Sequence, residues 1–129
     1  MKSISILFLL FTISAAAQTD SKIYDIIAAI SSERIKSDVK TLTEFGTRNT
    51  FSDTISTTQG IGAARRWIKS EFETISKGCK DCMEVFYQKD FVTKEGNTRV
   101  PHDAWIVNVV AIQKGTKYPN RYVIMSGDI

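Results

Sequence analysis

The chain has 129 residues, and its 17 Lys and Arg against 14 Asp and Glu give a formal charge of +3 at neutral pH. Acidic and basic residues alternate, and no basic cluster with interleaved aromatics occurs, which argues against a nucleic-acid-binding surface. Two cysteines and a single histidine leave no second Cys/His pair to complete a zinc site of the finger type.

The first 17 residues read as an export signal. Lys2 supplies a positive start, Ile4 to Phe11 an apolar centre, and Ala15-Ala16-Ala17 a small-residue cleavage site. The predicted mature chain is 18–129, starting at Gln18, long enough for one small domain. The apolar run Ile4–Ala17 falls short of the roughly 20 residues a membrane span needs. No Cys stands at the cut, so no lipid anchor is indicated. The expected location is secreted or periplasmic, with no membrane association after cleavage.

Ile23, Ile26, Ile27 and Ile30 recur at spacings of three and four, which predicts a first short amphipathic helix. Ser31 or Ser32 then offers an N-cap. Ile35, Val39 and Leu42 form the stripe of a second helix, with Phe45 one turn on, and Gly46 sits where a left-handed terminal residue is wanted. Residues 47–58 are hydroxyl, Asn and Asp loop chemistry, long enough to suggest a packed or functional loop. A third, longer helix is expected to start from a Thr57 or Thr58 cap. Ile61, Ala64, Ile68, Phe72 and Ile75 would be its buried stripe. Arg65, Arg66, Lys69, Glu71 and Glu73 would lie on its exposed sides, with Glu73 paired to Lys77. Trp67, just off the stripe, reads as core or edge packing. Gly78 ends the helix.

The period then changes to two. Met83 to Val92 reads as a strand, Glu95-Gly96-Asn97 as a turn, and Ala104 to Ile112 as a central strand buried on both faces. Gly115 to Asn120 turns the chain, and Tyr122 to Met125 is predicted as a third strand. Helices followed by strands make an α/β pattern, expected to break off after about three strands of a mixed sheet.

Cys79 and Cys82 lie three apart between the long helix and the first strand. In an oxidising compartment such a pair favours a disulfide that pins a helix end. A thioredoxin-like redox centre would want the pair at the start of a helix, where the dipole lowers the thiol pKa. Half a zinc site would lack its other half. Other candidates are weaker. His102 is in a loop with no triad partner that the sequence locates. Arg48 reads as an anchor for backbone or Asp through its planar fork. Asn108 reads as a buried amide in search of partners. Ser126 has no visible base.

Four phrases fall in a recognisable order: Gly46-Thr47-Arg48; Gly60-Ile61-Gly62-Ala63-Ala64-Arg65-Arg66-Trp67-Ile68; Val107-Asn108-Val109-Val110-Ala111; and Val123-Ile124-Met125-Ser126-Gly127. Together they resemble the amino-terminal part of secreted bizinc aminopeptidases, the aminopeptidase Y-like family that includes glutaminyl cyclases and glutamate carboxypeptidase. The resemblance implies a three-layer α/β/α sandwich around a mixed sheet, two zinc ions in a complete member, and a peptide substrate. In that family the last phrase runs on as Ser-Gly-His-x-Asp, with His and Asp as metal ligands. Here Asp128 stands at the His position, and the partner Asp would fall at 130. Asp128 is thus either an oxygen ligand to the metal or a turn residue after Gly127. The resemblance implies the front of a metallo-exopeptidase, inactive by itself. A non-catalytic extracellular binding domain of the same fold is the alternative.

Overall fold

The computed structural model describes residues 20–129 except Asn97. The expected export signal and the start at Gln18 lie outside these residues. The order is α1 (Ser21–Ala28), α2 (Ser32–Glu44), α3 (Gly60–Gly78), β1 (Met83–Val92) and β2 (Ala104–Gln113). This is the expected α/β class. Residues up to Asp38 and residues from Val39 onward form two compact units. Among the described residues, no helix is long and apolar enough to cross a membrane.

In the first unit, Asp20 caps α1 by accepting the Lys22 N–H at 3.0 Å. Of the expected isoleucine stripe, Ile23, Ile26 and Ile27 lie on α1 and Ile30 lies beyond its end, and all four side chains are exposed. Ser31 caps α2, its hydroxyl accepting the Arg34 N–H at 3.1 Å. Arg34 and Asp38 pair one turn apart at 2.8 Å.

In the second unit, β1 and β2 form a two-stranded antiparallel sheet in full register, from Met83 opposite Gln113 to Val92 opposite Ala104. Successive side chains in a strand point to opposite faces, so Val85, Tyr87, Lys89 and Phe91 share one face with Trp105, Val107 and Val109. Helix α3 packs on that face. Lys69 lies 5.7 Å over the Tyr87 ring. Phe91 and Trp105, directly opposite, meet as a tilted pair, 57° between ring planes and 5.1 Å between ring centres. Among the described residues the start of α3 is the most buried: Ile61, Ala63 and Ala64 are at most 4% exposed.

Five expectations of the fold need correction. Ile75, expected on the buried stripe of α3, is 51% exposed. Helix α3 begins at Gly60 with Gln59 as its cap residue and no side-chain cap, so neither Thr57 nor Thr58 plays that part. Glu73 pairs with Lys69, one turn before it, rather than with Lys77, and the same Lys69 ammonium lies over Tyr87. Strand β2 is half-buried rather than buried on both faces, since helix α3 covers one face of a two-stranded sheet. Tyr122 to Met125 is not a strand. It finds no partner to pair with among the described residues, and its side chains are 67–92% exposed. A lone extended segment has no ladder to stabilise it.

Candidate functional site

The site is built from the loop between α2 and α3, the first turns of α3, and the β1–β2 face beneath them. The loop is tied down at both ends. Gly46 takes the left-handed conformation expected of it, φ +69°. Just beyond, the Arg48 guanidinium donates to the carbonyls of Leu42 at 2.5 Å and Gly46 at 3.2 Å. Cations suit the orphan carbonyls of a helix end, so Arg48 has the expected anchoring role, through Nη1 alone, while its Nε is buried without a partner. At the other end the loop supplies acceptors to the start of α3. The N–H groups of Gly60, Ile61 and Gly62 donate to the Phe45 carbonyl, the Ser52 hydroxyl and the Asp53 carbonyl, at 2.9, 3.0 and 3.0 Å.

Within the loop, Asp53 accepts the N–H groups of Ile55 at 2.7 Å and Ser56 at 2.8 Å. Those hydrogen bonds, Ser56 first, hold its carboxyl below the ordinary aspartate value, with a smaller pull from the Arg66 charge; desolvation opposes them. Ser56 in turn accepts from Thr58 and Gln59. Arg66 donates to the carbonyls of Thr54, Ile55 and Ser56. The long segment expected to be packed is thus a stack of small turns held by one guanidinium.

Between this loop and the sheet lies an open groove of about 1080 Å³, lined in part by Asp53, Arg65, Tyr87, Lys89, His102 and Trp105. Arg65 is 7% exposed, where the sequence reading put it on the solvent side of α3. Its position explains the difference. It lies four residues after Ile61 and three before Ile68, on the apolar stripe itself. Its Nε is buried without a partner, and no hydrogen bond or ion pair engages its guanidinium among the described residues. Burial pushes its pKa below the usual arginine value, with the Tyr87 hydroxyl pulling weakly the other way. The guanidinium stays charged at any physiological pH.

The remaining candidates fall elsewhere. His102 is exposed on the groove rim, its Nδ1 3.0 Å from the Asp103 carbonyl and its ring edge-on to Phe51 at 5.3 Å. No triad forms around it among the described residues. Asn108 is exposed rather than buried and donates across the sheet to Gln88 at 2.7 Å, its register partner. Cys79 and Cys82 are joined in a disulfide. This turn also contains Ser76, which the sequence reading passed over. Its buried hydroxyl donates to the Met83 carbonyl at 3.0 Å and accepts the Met83 N–H at 3.1 Å.

A metal centre is not assembled here. Asp128 is exposed, and no three His, Cys, Asp or Glu side chains converge among the described residues. Catalytic zinc takes three protein ligands and structural zinc four. The described residues therefore do not by themselves fit a zinc ion, and no catalytic step is assigned to one.

The chain is similar to proteins named probable zinc metalloproteases. One from Pyrenophora tritici-repentis is 32% identical over 108 residues, 84% of this chain and 25% of the relative. One from Leptosphaeria maculans is 34% identical over 108 residues, again 84% and 25%. One from Pyricularia oryzae is 34% identical over 113 residues, 88% and 22%. The chain thus spans about a quarter of the length of the curated relatives it matches. No protein-family model and no solved structure matches the chain.

Proposed function

We propose that this chain is the amino-terminal part of an exported zinc-dependent peptidase of aminopeptidase type, acting on peptides from their amino end. The observation that carries the reading is the similarity over more than four fifths of the chain to several probable zinc metalloproteases. The aminopeptidase assignment and the expected pair of zinc ions rest on the four phrases from Gly46 to Gly127. Export rests on Lys2, the apolar run from Ile4 and Ala15-Ala16-Ala17. In this proposal the described residues supply scaffold and groove. Asp128 is the one metal ligand they would contribute, an oxygen donor where the resembled family has an imidazole. Carboxylate in place of imidazole favours harder metals. That substitution also favours the second reading, a non-catalytic extracellular binding domain of the same fold.

The test is an assay of the protein purified from its native source. Amino-acid release from peptides with a free amino terminus, abolished by chelator and restored by zinc, is the expected result, with N-acetylated peptides left intact. Internal cleavage of blocked peptides would overturn the aminopeptidase assignment. Zinc-free protein that binds peptides without hydrolysing them would establish the binding-domain reading.

A further inference from the structure

The groove between the α2–α3 loop and the sheet has an unusual charge balance. Its two carboxylates are already engaged: Asp53 by the N–H groups of Ile55 and Ser56, Asp103 by the N–H of Lys94 at 2.8 Å. Its cations are not. Lys89 has no ion pair among the described residues, and Arg65 is more than nine-tenths buried with Nε unpartnered. An uncompensated buried charge is costly. Guanidinium presents a fixed fork of donors that matches a carboxylate. Beside these cations stand aromatic walls, Phe51 on the loop and Tyr87 and Trp105 on the sheet. Tyr87 and Lys89, two apart on β1, share the face that Arg65 looks onto.

We infer that this groove is a binding site for a carboxylate attached to an apolar or aromatic body, with Arg65 as its anchor and Lys89 as a second cation. A carboxylate would give Arg65 the partner that the described residues do not. The aromatic walls would take the attached apolar group. The site contains no metal ligand set, so it stands independently of the peptidase reading.

The test uses the full chain with chelator present, so that no metal chemistry enters. Trp105 fluorescence is followed during titration with N-acetylphenylalanine, with its neutral amide as the control. A third probe, N-acetyl-aspartyl-phenylalaninamide, carries only a side-chain carboxylate. It separates a chain-terminal carboxylate from an acidic residue as the source, and saturable binding of either acid in preference to the neutral amide supports the site. The expected result is saturable binding of the acid at least ten-fold tighter than of the amide. Arg65→Gln should weaken it ten-fold or more and Lys89→Gln less, with Trp105→Phe removing the signal. Circular dichroism checks that each variant is folded. Should Arg65→Gln fail to fold, the acid-over-amide preference of the native chain and its partial reduction in Lys89→Gln decide. Equal binding of acid and amide, no saturable binding of either acid, or a folded Arg65→Gln chain that binds like the native one would overturn the inference.

Discussion

The hydroxyl of Ser52 accepts the backbone N–H of Ile61 at 3.0 Å, across nine residues of chain. With the neighbouring bonds from Gly60 and Gly62 it satisfies the first donors of α3 from the loop rather than from a cap residue. The start of a helix leaves four such donors orphaned. Here the loop is the cap, which explains how α3 does without Thr57 and Thr58. Ser52→Ala removes one acceptor from a half-buried donor and should cost about 0.5–2 kcal/mol. Urea unfolding of both proteins reads it, and an unchanged midpoint would count against the bond.

Two glycines let the loop come this close. A Cβ on Gly62 would overlap the Thr54 carbonyl, and one on Gly60, at φ +77°, would overlap the Asp53 carbonyl. In both cases the obstacle is backbone, which yields poorly. Gly62→Ala should lose about 1–3 kcal/mol through overpacking. Gly78→Ala is the control, since its Cβ meets nothing within 4 Å. It should be neutral or stabilising by about 0.4–1 kcal/mol, because the unfolded chain loses freedom. Thermal melts of the pair should move apart, Gly62→Ala downward.

How much of this was open to the sequence depends on the scale of the signal. Helices and strands follow from periods of three to four and of two, and β1 has the bounds the alternation predicts. Gly46 and Arg48 were readable because a left-handed glycine and a forked cation at a helix end are local chemistry. Arg65 departs from the expectation because its position on the helix, not its residue type, decides its burial. Counting from Ile61 would have put it on the buried stripe. Tyr122 to Met125 departs for a different reason. Its apolar run is a strand signal, yet a strand exists only with a partner, and partnership is not local. The Gly60-Ile61-Gly62 phrase is legible as a resemblance, while its physical cause, close approach to the Asp53 and Thr54 backbone, exists only in the fold.

Asp53 makes the loop sensitive to acid. Its folded pKa lies below the ordinary 3.8, chiefly because its carboxylate accepts the N–H of Ser56 and then of Ile55. A depressed carboxylate stabilises the fold fully above its unfolded pKa, and that contribution is lost as pH falls through the folded value. Asp53→Asn still offers an oxygen to the two N–H groups and cannot titrate in this range. The Tm of the native chain should therefore fall more steeply below pH 3.8 than that of Asp53→Asn. Parallel profiles from pH 6 down to pH 2 would show that Asp53 has no such role.

Arg48 tests whether its fork or its charge matters. Its Nη1 reaches two carbonyls, one at the end of α2 and one on Gly46. Lysine keeps the charge and loses the planar fork. Arg48→Ala should cost about 1.5–3 kcal/mol, the range for hydrogen bonds to a charged group. Arg48→Lys should recover less than half of that. Full recovery in chemical unfolding would mean that charge alone suffices.

The turn from α3 into β1 has two fastenings, and they should be non-additive. Cys79–Cys82 closes it covalently, and Ser76 closes it by exchanging two hydrogen bonds with the Met83 backbone. Between them Lys80 and Asp81 both sit at positive φ, 61° and 58°, a conformation that costs a non-glycine residue roughly 1–2 kcal/mol. The turn therefore stores strain that the fastenings hold. A disulfide closing so short a loop removes little unfolded-state entropy, about 2 kcal/mol at most. Native protein should show no free thiol, and reduction alone should lower its stability by no more than that. Ser76→Ala leaves a Met83 N–H without its acceptor and should cost about 1–3 kcal/mol. With the disulfide reduced as well, only the turn's own backbone bonds, among them those from Lys80 to Lys77 and from Asp81 to Ser76, remain, and the combined loss should exceed the sum of the two by about 0.5 kcal/mol or more, the scale at which contacts sharing one element couple. Urea unfolding of native and Ser76→Ala chains, each oxidised and reduced, measures that coupling. A coupling of zero would mean that Ser76 and the disulfide act on separate parts of the fold.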